Sequence, residues 1–187
     1  MIEFQHNWET FETFDFSNII TEDDHEVAKH DIRSIIASGN YFKNSPLYQT
    51  QENIFKRQSE TWLKFRMSFM FSCFMYLKNE VQIKNIQSWS FMTSNKTTEN
   101  REALWHNHQL PNEKTVSGIY YLHIPDDVND LNTCGTEFAL DGPENPSRWV
   151  GPVKKYNWLI YPGKTWHRPM PPQSSQDRFV IAADMIF

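Results

Sequence analysis

Two kinds of hydrophobic spacing divide this chain. Between Thr21 and Gly39, the apolar residues Ala28, Ile32, Ile35 and Ile36 recur at the three- and four-residue intervals of one helix face. Thr21 ahead of Asp23 and Asp24 supplies an N-terminal cap with acids in the first turn, and Gly39 supplies a stop. A helix over about 22–38 is predicted. A second is predicted from about Ser59 to Leu77, where Trp62, Phe65, Phe69 and Cys73 share a face. Its later half is apolar nearly all round, which predicts deep burial and assigns its Met and Phe residues to the core rather than to a ligand pocket. From Val81 the pattern changes to short apolar runs: Ile86–Met92, Val116–His123, Thr136–Leu140, Trp158–Tyr161 and Arg178–Phe187. Five of the six glycines and nine of the ten prolines fall between Pro111 and Pro172, so turns crowd into the same half. Short strands separated by such turns predict a sandwich or barrel of the jelly-roll kind, mainly β, with N-terminal helices packed on it. No linker composition or internal repeat interrupts the chain. One domain over 1–187 is expected, with a helical layer in about 1–80 and the β-core in about 81–187. The polar stretches Thr93–Arg101 and Asp126–Asp130 are expected as loops.

Composition narrows the function. The 187 residues carry 18 basic and 23 acidic side chains, a formal charge of −5, with no basic run, so a nucleic-acid partner is not expected. Aromatics at 15% can build a substantial core although hydrophobic residues total only 39%. The uncharged stretch Met67–Leu77 is 11 residues long, whereas a membrane span needs about 20. Met1–Trp8 lacks a basic start followed by an apolar run, which leaves a cytoplasmic location as the expectation. Cys73 and Cys134 form neither a disulfide framework nor a zinc pattern, and are read as simple thiols.

The candidate chemistry lies in the histidines, four of seven of which are in the β half. His106 and His108 are two residues apart, and on an extended segment such positions project to one face, so both imidazoles can reach one ion. His167 follows a strand and a Pro162-Gly163 turn about sixty residues later, an arrangement that can bring a third imidazole opposite the pair. Imidazole suits Fe, Zn, Cu and Ni, and three side chains leave open positions on an octahedral ion. Arg178 opens the last strand with Val180 and Ala182 on the same face. An arginine aimed into a barrel of small residues needs an anionic partner. His6, His25, His30 and His123 are read as surface or packing histidines.

These pieces, in this order, resemble the Fe(II)/2-oxoglutarate-dependent dioxygenases, in particular the prolyl-hydroxylase-like branch and small phage and bacterial relatives. The matching residues are His106-Asn107-His108, Ser117-Gly118-Ile119-Tyr120-Tyr121-Leu122, Gly135-Thr136-Glu137-Phe138, Pro162-Gly163 before His167, and Arg178, spread over about residues 104–187. The resemblance implies a double-stranded β-helix. His106 and His167 would be metal ligands, and Arg178 would bind the outer carboxylate of 2-oxoglutarate with a hydrogen bond from Tyr121, while Tyr120 packs on the other face. It implies oxidation of a small-molecule or peptide substrate by O2, with 2-oxoglutarate converted to succinate and CO2. The family usually carries Asp or Glu where this chain has His108. Three arrangements follow: a site on His106, His108 and His167; a site whose carboxylate is Glu137 or Glu113; or a site with two protein ligands. The first is favoured, since position 108 faces the metal in the family geometry. His106, His108 and Glu113 also resemble a cupin motif that needs neither Arg178 nor 2-oxoglutarate, and an inactive jelly-roll binding module is a further reading. Trp105, Trp158 and Trp166 are candidates to wall the site or to pack in the core.

Overall fold

The computed structural model describes residues 11–42, 47–94, 103–144, 148–170 and 172–187; His6 and the polar stretch beyond Ser94 as far as residue 102 lie outside the described residues. In chain order the regular elements are β1 (Glu12–Asp15), α1 (Glu22–Ala37), β2 (Tyr48–Gln49), α2 (Glu60–Leu77), β3 (Asn85–Thr93), β4 (Thr115–His123), β5 (Thr136–Ala139), β6 (Arg148–Val150), β7 (Asn157–Pro162), β8 (Trp166–Pro169) and β9 (Arg178–Ile186). α1 opens on a reciprocal capping box: Thr21 Oγ1 accepts from the Asp24 amide, and the Asp24 carboxylate accepts from the Thr21 amide. It ends at Ser38, and Gly39 follows at φ +81°, where a side chain would be strained. Ser59 caps α2 by accepting from the Trp62 amide.

The strands form two antiparallel sheets. The larger has the order β1-β7-β4-β9-β3-β2, the smaller β6-β5-β8. A bridge between His106 and His167 adds the extended segment around His106 to the free edge of β8. From β3 onward the chain crosses between the sheets repeatedly: β3 in the large, the His106 segment in the small, β4 in the large, β5 and β6 in the small, then β7, β8 and β9 alternately. This winding is the expected double-stranded β-helix. The first 80 residues are not purely helical, however. β1 and β2 extend the large sheet at its two edges; strands of four and two residues are too short to show alternation in sequence.

The large sheet is covered on both faces, which is why β4 is buried through eight successive residues. Val116, Tyr120 and Leu122 face the helices with Trp62, Phe65 and Phe69, while Ile119 and Tyr121 face the small sheet with Phe138, Leu159 and Tyr161. Gly118 lies directly beneath α2: a Cβ there would stand 2.7 Å from the Phe69 ring. Trp158 is wholly buried in the helix-facing layer, its indole N–H donating to Ser68 Oγ.

α2 departs from the all-round burial expected of it. Trp62, Phe65, Phe69, Cys73 and Tyr76 are buried, but Leu63, Met67, Phe71 and Met75 are 49–56% exposed. A helix laid on a sheet can bury one stripe only, whatever its other faces are made of. No helix among the described residues is long and apolar enough to cross a membrane.

Candidate metal centre

The register of the large sheet sets the inner wall of the site. β9 pairs with β3 so that Val180 opposes Phe91, Ala182 opposes Trp89 and Asp184 opposes Gln87; opposed residues share a face. Across the gap, β5 and β8 present Thr136, His167 and Pro169. Between them lies a cavity of about 360 Å³, lined among others by His106, His108, His167, Arg178, Tyr161 and Trp89. That volume is within the ~300–1,000 Å³ usual for small-molecule sites.

The backbone brings the three histidines together. His106 and His167 exchange amide-to-carbonyl hydrogen bonds of 3.1 and 2.9 Å, and the His108 amide donates to the Gly163 carbonyl at 2.7 Å. Gly163 is tight against β4, where a Cβ would come within 2.7 Å of Thr115 Cβ, so the turn before His167 also anchors His108. One potential ligand atom from each imidazole lies within 4.8 Å of the other two. In all three rings Nδ1 is already engaged: His106 with the Leu104 carbonyl at 3.0 Å, His167 with the Thr165 carbonyl at 2.9 Å, His108 with the Asp184 carboxylate at 2.7 Å. A carbonyl or carboxylate only accepts, so Nδ1 carries the proton in each and the Nε2 lone pairs are the ones left to offer an ion. Among the described residues His167 Nε2 meets the Tyr161 hydroxyl, at 3.3 Å. Burial, reinforced by the other two histidines, holds His167 well below the usual imidazole range, and burial lowers His106 as well even though that residue keeps solvent access at the mouth. Both therefore stay neutral near pH 7 and can donate a lone pair. The donor set fits a divalent transition metal.

Arg178 lies on the same cavity wall and is 1% exposed. Its Nη1 donates to the Cys134 carbonyl and, at 3.4 Å, to that of Gly135, while Nε has no hydrogen-bond partner among the described residues. No acidic side chain pairs with it among the described residues. Burial lowers its pKa, yet a guanidinium stays protonated. The result is an interior cation without a counter-ion, which fits an anionic ligand.

Tyr121 is buried behind this wall. Its hydroxyl meets Thr136 Oγ1 at 3.2 Å, and it is Thr136 that lines the cavity. Burial pushes the Tyr121 phenol up, leaving it a neutral hydrogen-bonding group. Tyr120 faces the helices, where its hydroxyl meets His25 Nε2 at 2.9 Å. The alternative carboxylates are occupied elsewhere: Glu137 accepts from Arg168 Nε at 2.8 Å and Glu113 is paired with Lys84 at 3.4 Å. The candidate tryptophans do not line the cavity either. Trp105 is held between Arg148 and Arg168, whose guanidinium carbons lie 4.6 and 4.8 Å from its ring centroid. Sequence reasoning missed Asp184, Ser117, Thr136, Tyr161 and Trp89. Asp184 had a readable signal, because it continues the 178-180-182 face of β9 as a polar residue in an apolar strand.

No family model matches the sequence, and no curated protein does. Solved structures do match in fold. The viral collagen prolyl hydroxylase of Paramecium bursaria Chlorella virus-1, in its 2OG complex, is 15% identical over 94% of both chains with a TM-score of 0.62. A Pseudomonas putida prolyl-4-hydroxylase is 11% identical, over 94% of this chain and 91% of that one, at 0.64. The non-heme alpha-ketoglutarate-dependent carbocyclase SnoK of nogalamycin biosynthesis is 11% identical, over 94% and 79%, at 0.69. The chain thus has the fold of prolyl hydroxylases and alpha-ketoglutarate-dependent oxygenases.

Proposed function

We propose that this protein is an Fe(II)- and 2-oxoglutarate-dependent oxygenase that holds its metal on His106, His108 and His167 and hydroxylates a C–H bond of a small-molecule or peptide substrate. The observation that carries the reading is Arg178, a buried guanidinium without an acidic partner on the wall of the cavity that the three histidines share. When bound, the metal supplies the redox chemistry by which 2-oxoglutarate, O2 and a C–H bond become succinate, CO2 and an alcohol. The protein's own groups bind and orient. The three Nε2 atoms would hold the ion, and three side-chain ligands would leave positions for 2-oxoglutarate and O2. Arg178 offers a planar fork to the far carboxylate of 2-oxoglutarate, the geometry a guanidinium favours. Thr136, steadied by Tyr121, offers a hydroxyl from the facing sheet. Trp89, Phe91, Ile119, Val180 and Ala182 form an apolar lining that excludes water.

Anaerobic titration of the Fe(II)-loaded protein with 2-oxoglutarate tests this. Bidentate chelation gives a weak visible metal-to-ligand charge-transfer band, expected in the wild type and absent in Arg178→Ala. A protein that binds Fe(II) but never develops the band would refute the 2-oxoglutarate assignment.

A further inference from the structure

We infer that Asp184 is the positioning residue of the metal centre: acting through His108, it directs one ligand nitrogen at the metal and supplies the negative charge that three neutral imidazoles lack. The inference rests on the metal reading proposed above.

Asp184 is 1% exposed, and its carboxylate is fully engaged. Oδ1 accepts from His108 Nδ1 at 2.7 Å and from Ser117 Oγ at 2.7 Å; Oδ2 accepts from the Gln87 amide at 3.2 Å. No lysine or arginine is among these partners. A carboxylate this deep is costly without a positive charge nearby, and Ser117 and Gln87 are neutral. His108 is the one partner that leads to a metal cation, because it belongs to the three-histidine cluster and, with Nδ1 taken by Asp184, its far nitrogen Nε2 is left for the ion. The other two ligands are backed differently, each by a backbone carbonyl. Asp184 therefore singles out His108, fixing its tautomer and ring orientation as a ligand.

Charge balance points the same way. A divalent metal and Arg178 bring three positive charges into a buried space; 2-oxoglutarate brings two negative ones. Asp184 supplies the third, and the loaded site is neutral. Asp184 itself is held by two further side chains from neighbouring strands, Ser117 on β4 and Gln87 on β3, so the carboxylate is presented to His108 by the large sheet rather than by a loop.

The test is Fe(II) affinity, measured anaerobically by equilibrium dialysis, in the wild type, Asp184→Asn, His108→Ala and the double variant. Asp184→Asn is expected to weaken Fe(II) binding by about 10–100-fold. On the His108→Ala background the same change is expected to alter affinity by no more than about twofold, since nothing is left for Asp184 to act through. An unchanged affinity in Asp184→Asn overturns the inference, as does an equal loss on both backgrounds, which marks a merely structural residue. A wild type that binds no Fe(II) overturns the metal reading and this inference with it. Should Asp184→Asn fail to fold, proton–nitrogen NMR of the wild-type imidazoles decides: a proton on His108 Nδ1 supports the arrangement, and one on Nε2 overturns it.

Discussion

Replacing Arg178 by methionine separates a residue kept for a ligand from one kept for the fold. In the free protein the guanidinium makes one close bond, to the Cys134 carbonyl, and a second to Gly135 whose 3.4 Å length is at the weak end of the range. Losing them leaves a buried carbonyl unsatisfied, at about 1–3 kcal/mol. Against that, the variant removes a buried cation without a counter-ion, whose desolvation cost is on the order of several kcal/mol, and a methionine stem fills most of the space. The two effects are of similar size and opposite sign, so stability should move by no more than about 2 kcal/mol, where breaking a true buried ion pair costs about 3–5 kcal/mol. The ligand loses much more. A forked contact of two charge-assisted bonds, at about 1.5–3 kcal/mol each, amounts to a roughly 10²- to 10⁴-fold loss of 2-oxoglutarate affinity. The assay is urea unfolding of the metal-loaded protein with and without 2-oxoglutarate. At a concentration one hundred times its Kd the wild type should gain about 2.7 kcal/mol, and Arg178→Met should gain no more than about 0.4 kcal/mol at that same concentration. A variant that loses more than about 3 kcal/mol of stability yet is still stabilised by 2-oxoglutarate would show that Arg178 serves the fold and refute the reasoning.

Three further outcomes are expected. His25 is fully buried, and desolvation lowers its pKa to about 4. The folded state therefore resists its protonation: the contribution is complete above the unfolded value near 6.5 and is lost as pH falls towards 4, about 3 kcal/mol in all. Urea unfolding at pH 7.5 and 4.5 should show a smaller acid loss in His25→Gln than in the wild type, and equal losses would contradict this. Gly118→Ala drives a methyl into Phe69 and the side chain of Ile160 and should cost about 1–3 kcal/mol as overpacking; a neutral result in thermal unfolding would mean that α2 can shift away. Phe69→Ala should cost about 3–5 kcal/mol, whereas Phe71→Ser, on the exposed stripe, should change stability by only about 0.5 kcal/mol. Comparable losses in the two would mean that the outer face of α2 is covered in solution.

Much of the architecture lies in local spacing. The limits of α1 and α2 follow from Thr21, Ser59 and the helical repeat, and the five longer apolar runs became β3, β4, β5, β7 and β9 with ends shifted by one residue. The short strands were not legible: β6 and β8 are three and four residues long, and β8 holds Pro169 at its end. Each is stabilised by its neighbours rather than by its own composition. The site divides the same way. His106, His108, His167 and Arg178 stood out because imidazoles and a guanidinium at strand positions have few uses in a core. Which carboxylate, if any, joined them did not. Glu113 and Glu137 are both plausible by position along the chain, yet neither lines the cavity and each is paired elsewhere, with Lys84 and Arg168, while Asp184 reaches His108 from 76 residues away. Alternation along a strand says which residues share a face. What that face meets depends on register across the sheets and on which layers cover them, and those are set only when distant segments pair. For this protein the sequence by itself determined the periods, the caps and the shared face of 178, 180 and 182. Tertiary structure decided the rest: that Asp184 backs a histidine, that Tyr121 stands behind Thr136, and that half of an apolar helix is left in water, because long-range packing rather than local preference sets the partner of each buried charge.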